Sequence, residues 1–387
     1  MKSDGKNNNG KDMKRILIVG AGIAGLGMYR SLLGTAFQVD IVERASQWAE
    51  GGAGICLPAN AVAGMERLGL KGALMAQAYQ VKNVTYADNL GRPLSSASLL
   101  ESPLDVQPFV ALPRAALLKI LRQGLDGAVQ FGKWPDAIQS IGSRTRVQFN
   151  DGDITDYDLI IAADGIHSNV RQIIFSDAGT QDLGVTCWRF LHDKPNHGRQ
   201  PIYMVGAHDA FMFYPLSDDL LYCYAQVGDK SGALLTGSAQ EHLRKHFSSY
   251  CLPVRDAINQ ASQHSMVAGR LESVRSRQVY RGRVVLIGDA LHGCPPTLQQ
   301  GVAMALEDIF CLTDYLESGD IDQALAKFKQ TRLSRVQWVI EQSNKIIKLA
   351  GIGKTAPGRW LRNRMIRKQG PANVNGWRKL LLEAAAP

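Results

Sequence analysis

The segment Gly20-Ala-Gly22-Ile-Ala-Gly25 constrains the fold of this chain more than any other. It follows an apolar run, Ile16–Val19, that reads as a buried parallel strand. It opens a helix-like stretch running through Leu33. A second apolar run, Val39–Val42, then ends on Glu43, 18 positions past Gly25. GxGxxG alone is a weak signal. Set between strand and helix, with an acid closing the next strand, it reads as a dinucleotide phosphate cradle. Gly20 allows a tight turn, Gly22 lets backbone approach a pyrophosphate, and Gly25 lets the helix pack close to the sheet. N–H groups at the helix N-terminus attract phosphates, and Glu43 can accept hydrogen bonds from a ribose hydroxyl. No second fingerprint follows, since Gly51-Gly52-Ala-Gly54-Ile55 is only a glycine-rich loop.

Two more buried strands end in glycine and an acid. Asp158–Ala163 leads into Asp164-Gly165-Ile-His-Ser168-Asn-Val-Arg171, and Gly282–Ile287 leads into Gly288-Asp289. The second continues through His292-Gly-Cys-Pro295-Pro296 to Gln300-Gly301-Val302, where a helix starts that runs to about Leu316. Between them, residues 183–230 are rich in aromatics on a two-residue period, as in an antiparallel sheet. The chain therefore reads as an α/β protein. Its nucleotide-binding domain is assembled from separated segments, with an antiparallel sheet inserted.

Composition narrows the class. Of 387 residues, 45% are hydrophobic and 20% charged, as in ordinary globular proteins. No uncharged apolar run approaches the roughly 18 residues of a membrane span. Residues 1–12 are polar, read as a loose tail rather than a secretory signal. Six scattered cysteines without a CxxC pair fit free thiols in a reducing cytoplasm, and no Cys or His set has metal-ligand spacing. The net charge of +9 is concentrated at the C-terminus, where ten basic residues and no acid lie between Glu341 and Glu383. The readings are a basic helix packed on the main body, a peripheral contact with an anionic membrane, or nucleic-acid binding, for which no motif is present.

In order, GAGIAG, ADGIHSNVR and RGRVVLIGDALHGCPPTLQQG resemble the motif set of the single-component FAD-dependent aromatic monooxygenases, the para-hydroxybenzoate hydroxylase-like family. The resemblance spans roughly Lys14 to Ile340. Around Thr186-Cys187-Trp188-Arg189 and Trp360-Leu-Arg-Asn-Arg364 it is most similar to the 2-alkyl-4-quinolone 3-hydroxylases. It implies a Rossmann-like FAD-binding domain (13–81, 108–178, 275–340), an inserted antiparallel substrate domain (82–107, 179–274) and a basic helical region (341–387). It implies FAD as cofactor, NAD(P)H and O₂ as co-substrates, and hydroxylation of a small aromatic or heteroaromatic compound through a flavin C4a-hydroperoxide. Single Rossmann architecture means that NAD(P)H visits only to reduce the flavin. A monomer or homodimer is expected.

By the same resemblance Gly20, Gly22, Ala24, Gly25 and Gly54 lie with the cofactor. Glu43 binds the adenosine ribose, with Arg44 beside the adenine. Arg114 contacts the phosphates or ribityl chain, Asp164 belongs to the DG motif, and Asp289 binds the ribityl–pyrophosphate region. Pro296, Gly301 and Val302 line the isoalloxazine ring. Trp188, Phe213, Tyr224 and Pro295 are the substrate-side candidates. No general base stands out; His292, His192 and Arg189 are the candidates. Trp188 and Arg189 fall on opposite faces of one strand, and the alternation does not say which face meets the flavin. The sequence departs from the family at Ala162, where glycine is common, and at Gln299-Gln300-Gly301, where Gly-Gln-Gly is usual. Epoxidation or Baeyer–Villiger insertion is the first alternative chemistry. A non-catalytic flavoprotein working through its basic tail is the second.

Overall fold

A computed structural model describes residues 13–48, 52–175, 179–193, 200–262, 266–275 and 277–384. The expected tail 1–12 and Gly51 lie outside the described residues. Lys14–Val19 is a central strand, paired in parallel with Phe37–Glu43 on one side and Leu159–Ala162 on the other. Val129–Phe131 and Val284–Leu286 extend the sheet in parallel, and Tyr280–Arg281 adds an antiparallel edge. Ile16, Leu17 and Ile18 are wholly buried, because helix Ile23–Leu32 and a three-stranded antiparallel sheet (Pro135–Ile141, Arg144–Phe149, Ile154–Tyr157) both pack on this sheet, and Val147, Phe149 and Tyr157 join its core. The three strands with glycine-and-acid turns, 14–19, 159–162 and 284–286, are neighbours in the sheet. Parallel pairing puts their C-terminal turns at one edge, where ligands of open α/β sheets bind.

Seven strands make the second large sheet, in the order Val267–Val274, Thr180–Asp193, Leu220–Gly228, Asp209–Pro215, Ile202–Val205, Asn83–Asp88 and Pro93–Ser98. One face packs Trp188, Phe190, Phe211 and Phe213 against helices Ala239–His246 and Leu252–Gln260, with Leu243, Phe247 and Val254 between. The other carries Cys187, Met212, Tyr222 and Tyr224. The period of two sorts the residues: Arg189 pairs with Tyr224 and Trp188 with Ala225.

Helix Gly301–Ser318 packs against helices Ile23–Leu32 and Ala59–Arg67 and against the 31-residue helix Ile321–Gly351. That last helix runs unbroken across 340/341, so the expected boundary there falls inside an element. Helices Ala356–Gln369 and Ala372–Ala384 follow and pack on the body. Trp377 Nε1 donates to the Leu298 carbonyl at 2.7 Å, and Arg362 Nη1 donates to that of Gly206 at 2.7 Å.

Candidate active site

Gly20 has φ of +101°, and a Cβ there would come within 2.6 Å of the Ala163 carbonyl oxygen. A Cβ on Gly25 would lie 1.8 Å from the Gly20 carbonyl oxygen. These glycines press the helix and the neighbouring strand against the turn. Around Gly22 the situation is reversed: a Cβ would meet nothing within 4 Å. Gly22 is the N-cap of helix Ile23–Leu32, without a side-chain cap and without an acid in the first turn. Its orphan N–H groups therefore face open space. Glu43 braces the same turn from its strand end, Oε2 accepting from Ala21 N at 2.8 Å and Oε1 from Ala45 N at 2.9 Å. Arg44 is exposed beside it.

The mid-chain and late motifs are tied to one another. The Asp164 carboxylate accepts from Ser168 Oγ at 2.5 Å and from Val170 N at 3.1 Å, so it braces the start of the short helix Asn169–Ile174, whose N-cap is Ser168. Burial pushes its pKa up against those hydrogen bonds. Buried Arg171 donates to the carbonyls of Ile166, at 2.5 Å, and of Ala290, 119 residues away, at 2.8 Å. The late turn has its own knot. Asp308, fully buried, accepts from Gly288 N at 3.0 Å, His292 Nε2 at 2.8 Å and Arg332 Nε at 2.8 Å. Burial pushes the Asp308 pKa up, but Arg332 and His292 outweigh it and hold the group below its ordinary value. With Asp308 ionised, the His292 ring donates from Nε2 and serves as a brace for Gly288.

These turns open into one cavity of about 530 Å³. Gly22, Ala24, Gly54, Arg114, Gly165, Asp289, Pro296, Gly301 and Val302 line its sheet end. Helix Gly301–Ser318 also begins here without a side-chain cap or an acid in its first turn. Two helix N-termini thus aim donors into one space, and Asp289 stands exposed at its edge. Burial lowers the Arg114 pKa, Asp289 pulls it back up, and Arg189 lowers it further, so the three charges share one field. Open backbone at Gly22, two dipole ends, an arginine and an acceptor carboxylate are the donors and the acceptor a flavin dinucleotide requires, and the residues present fit FAD.

The opposite wall is made by the antiparallel sheet and the C-terminal helices. Arg189, Tyr222, Tyr224, Tyr203, Tyr86 and Pro295 line it, with Met365 and Ile366 from helix Ala356–Gln369. Burial pushes the Tyr203, Tyr222 and Tyr224 hydroxyls well up and the Cys294 thiol up to about 12. All remain protonated near neutrality, so the wall offers neutral donors and no thiolate. Sequence reasoning did not single out Gln299 as a site residue. It has φ of +48°, alone among the described non-glycine residues in the left-handed region. Its Nε2 donates to Tyr203 Oη at 2.7 Å, while its buried Oε1 has no partner. Buried Arg189 Nε also lacks one.

Four candidates are corrected by position. Trp188 and Phe213 sit in the cluster beneath helices Ala239–His246 and Leu252–Gln260, on the far face of the sheet. His192, two residues from Phe190, shares that far face, and burial lowers its pKa. The reason is register: Arg189 stands on the face that meets the cavity, and Trp188, Phe190 and His192 alternate to the other. His292 is also removed from the reacting space, buried on Asp308.

A family profile described as an FAD binding domain matches residues 13–343. The chain is similar to 2-heptyl-3-hydroxy-4(1H)-quinolone synthase of Pseudomonas aeruginosa, 31% identical over 373 residues that cover 91% of this chain and 93% of the relative. It is 30% identical to 3-amino-4-hydroxybenzoate 2-monooxygenase of Streptomyces cremeus, over 86% of each chain. The crystal structure of Klebsiella pneumoniae HpxO complexed with FAD and uric acid superposes with a TM-score of 0.86 at 25% identity, covering 95% of this chain and 97% of that one. The cradle, the paired helix N-termini and these likenesses agree: the chain belongs to the FAD binding domain family and is an FAD-dependent monooxygenase.

Proposed function

We propose that the protein hydroxylates a small, largely apolar heteroaromatic compound that carries one hydrogen-bond acceptor and one donor. The observation behind this reading is the pair of unpartnered buried polar atoms at the cavity wall, Arg189 Nε and Gln299 Oε1. A buried donor or acceptor without a partner is costly, and a ligand that supplies both partners removes that penalty. Relatives whose names include a quinolone and an aminohydroxybenzoate support an electron-rich ring.

In this reading FAD is held by the turn Gly20–Gly25, by Glu43 at the ribose, and by Arg114 and Asp289 along the ribityl–pyrophosphate region. Pro296, Gly301 and Val302 lie against the ring system. Bound there, FAD accepts hydride from NAD(P)H and activates O₂ for transfer to the substrate. The protein's own work is electrostatic and positional. The N-terminus of helix Gly301–Ser318 stabilises negative charge that develops beside it. Arg189 orients a substrate oxygen, and Gln299, fixed by Tyr203, accepts a substrate N–H or O–H. The apolar wall keeps water from the reacting atoms. Six free cysteines support a reducing, cytoplasmic setting.

NAD(P)H oxidation screened over quinolones, indoles, purines and aromatic acids tests the reading. A heteroaromatic that accelerates oxidation, and gains one labelled oxygen from ¹⁸O₂ in place of a C–H, supports it. Label added across C=C, inserted beside a carbonyl, or absent from every product overturns it.

A further inference from the structure

The cavity has a mouth, and the surface around it is unusual. Leu349 and Ile352 line the cavity, yet are 36% and 40% exposed. They lie where helix Ile321–Gly351 gives way to helix Ala356–Gln369. On that second helix Trp360 is 62% and Leu361 48% exposed. The helix is held by its other side: Arg362 is buried on the Gly206 carbonyl, and Met365 and Ile366 line the cavity. Trp360 and Leu361 therefore face outward from an anchored helix.

The charge on this stretch has one sign. Lys345, Lys348, Lys354, Arg364, Arg367 and Lys368 are all exposed, and no acid occurs between Glu341 and Glu383. The Arg364 guanidinium sits 5.5 Å from the centroid of the Trp360 ring. Structural needs do not account for the pattern, because exposed apolar groups are uncovered and exposed cations are unpaired with acids of their own stretch. An anionic lipid surface satisfies both at once: headgroups take the cations, and the indole and aliphatic groups enter the interface. Nucleic acid would satisfy the charges and leave the apolar rim wet.

We propose that this face, formed by the end of helix Ile321–Gly351 and by helix Ala356–Gln369, docks on an anionic membrane surface with the cavity mouth turned toward the bilayer. Apolar substrates that partition into lipid then reach the cavity through Leu349 and Ile352 without crossing water. The docking does not depend on which ring is hydroxylated.

The test is co-sedimentation of the full-length, FAD-loaded protein with phosphatidylcholine vesicles, with vesicles containing phosphatidylglycerol, and separately with duplex and single-stranded DNA. Phosphatidylglycerol vesicles bind the protein, and affinity falls steeply as salt is raised. Trp360→Ser with Leu361→Ser, and separately Arg364→Gln with Arg367→Gln and Lys368→Gln, each weaken binding by roughly tenfold or more. Flavin content stays unchanged, which reports an intact fold. Equal binding to both vesicle types overturns the proposal. So does DNA binding that only the charge variants reduce, or a change of oligomeric state in the Trp360→Ser variant with vesicle binding intact.

Discussion

Arg332→Met probes the buried knot beneath the late turn. Arg332 donates to Asp308 Oδ1 at 2.8 Å and to Glu307 Oε2 at 2.6 Å, both on helix Gly301–Ser318. Methionine fills much of the volume and supplies no donor. Asp308 then keeps only Gly288 N and His292, with no permanent cation. Removing one partner of a buried ion pair costs about 3–5 kcal/mol. At about 2.1 cal/mol/K per residue, 387 residues give an unfolding entropy of roughly 0.8 kcal/mol/K, so the melting temperature falls by about 4–6 °C. Acid should narrow that gap. Burial pushes both carboxyls up, but Arg335 and Arg332 hold Glu307 at about 2, and Arg332 and His292 hold Asp308 below its ordinary value. Groups depressed in the folded state stabilise it above their unfolded pKa, and that stability is lost as pH falls through the folded pKa. The variant lacks the stabilisation from Arg332, so wild type loses more on acidification. Differential scanning fluorimetry from neutral pH down to about pH 2, through the folded pKa of Glu307, reads both effects. A gap below about 1 °C at neutral pH, or one that widens with acid, refutes the reasoning.

Other outcomes follow from the site. Asp289→Ala should weaken FAD retention on desalting while the melting temperature of the FAD-free protein stays within about 2 °C, because Asp289 is exposed at the cavity edge. Arg189→Met should raise KM for the preferred substrate by roughly tenfold or more and leave FAD content unchanged, by loss of one charge-assisted contact. Gln299→Gly should relieve the left-handed backbone but lose the bond to Tyr203, two opposing effects that leave the melting temperature within about 2 °C of wild type, and abolish discrimination between N–H heteroaromatics and their N-methyl analogues; retained discrimination would remove Gln299 from substrate contact.

The three glycine-and-acid turns were legible because each is forced by local geometry. Gly20 needs its positive φ and Gly25 its absent side chain, and buried parallel strands announce themselves as short apolar runs. Which face of strand Thr180–Asp193 meets the cavity was not legible. Both faces are covered, one by helices Ala239–His246 and Leu252–Gln260, and each mixes polar with apolar residues (Cys187, Arg189 and Leu191 against Trp188, Phe190 and His192), so the alternation does not mark the side that meets the cavity. His292 stands among the candidates from sequence because its partner Asp308 lies 16 residues on, in another helix. The change at 340/341 is one of charge, and charge does not end a helix: Ile321–Gly351 keeps its buried stripe through Val339, Ser343 and Ile347. Gln299 stood out only as a departure from a motif. Its backbone angle and its unpartnered oxygen needed three dimensions.

The central claim is that the open space over Gly22, at the head of helix Ile23–Leu32, is where the flavin dinucleotide lies. Titration of FAD into FAD-free wild type and Gly22→Val measures this directly. The Gly22 backbone has φ of −77° and nothing within 4 Å of a new Cβ, so the variant should fold and melt like wild type. Wild type should bind stoichiometric FAD, and the variant at least about 100-fold more weakly. A folded variant that binds FAD as wild type does would contradict the account.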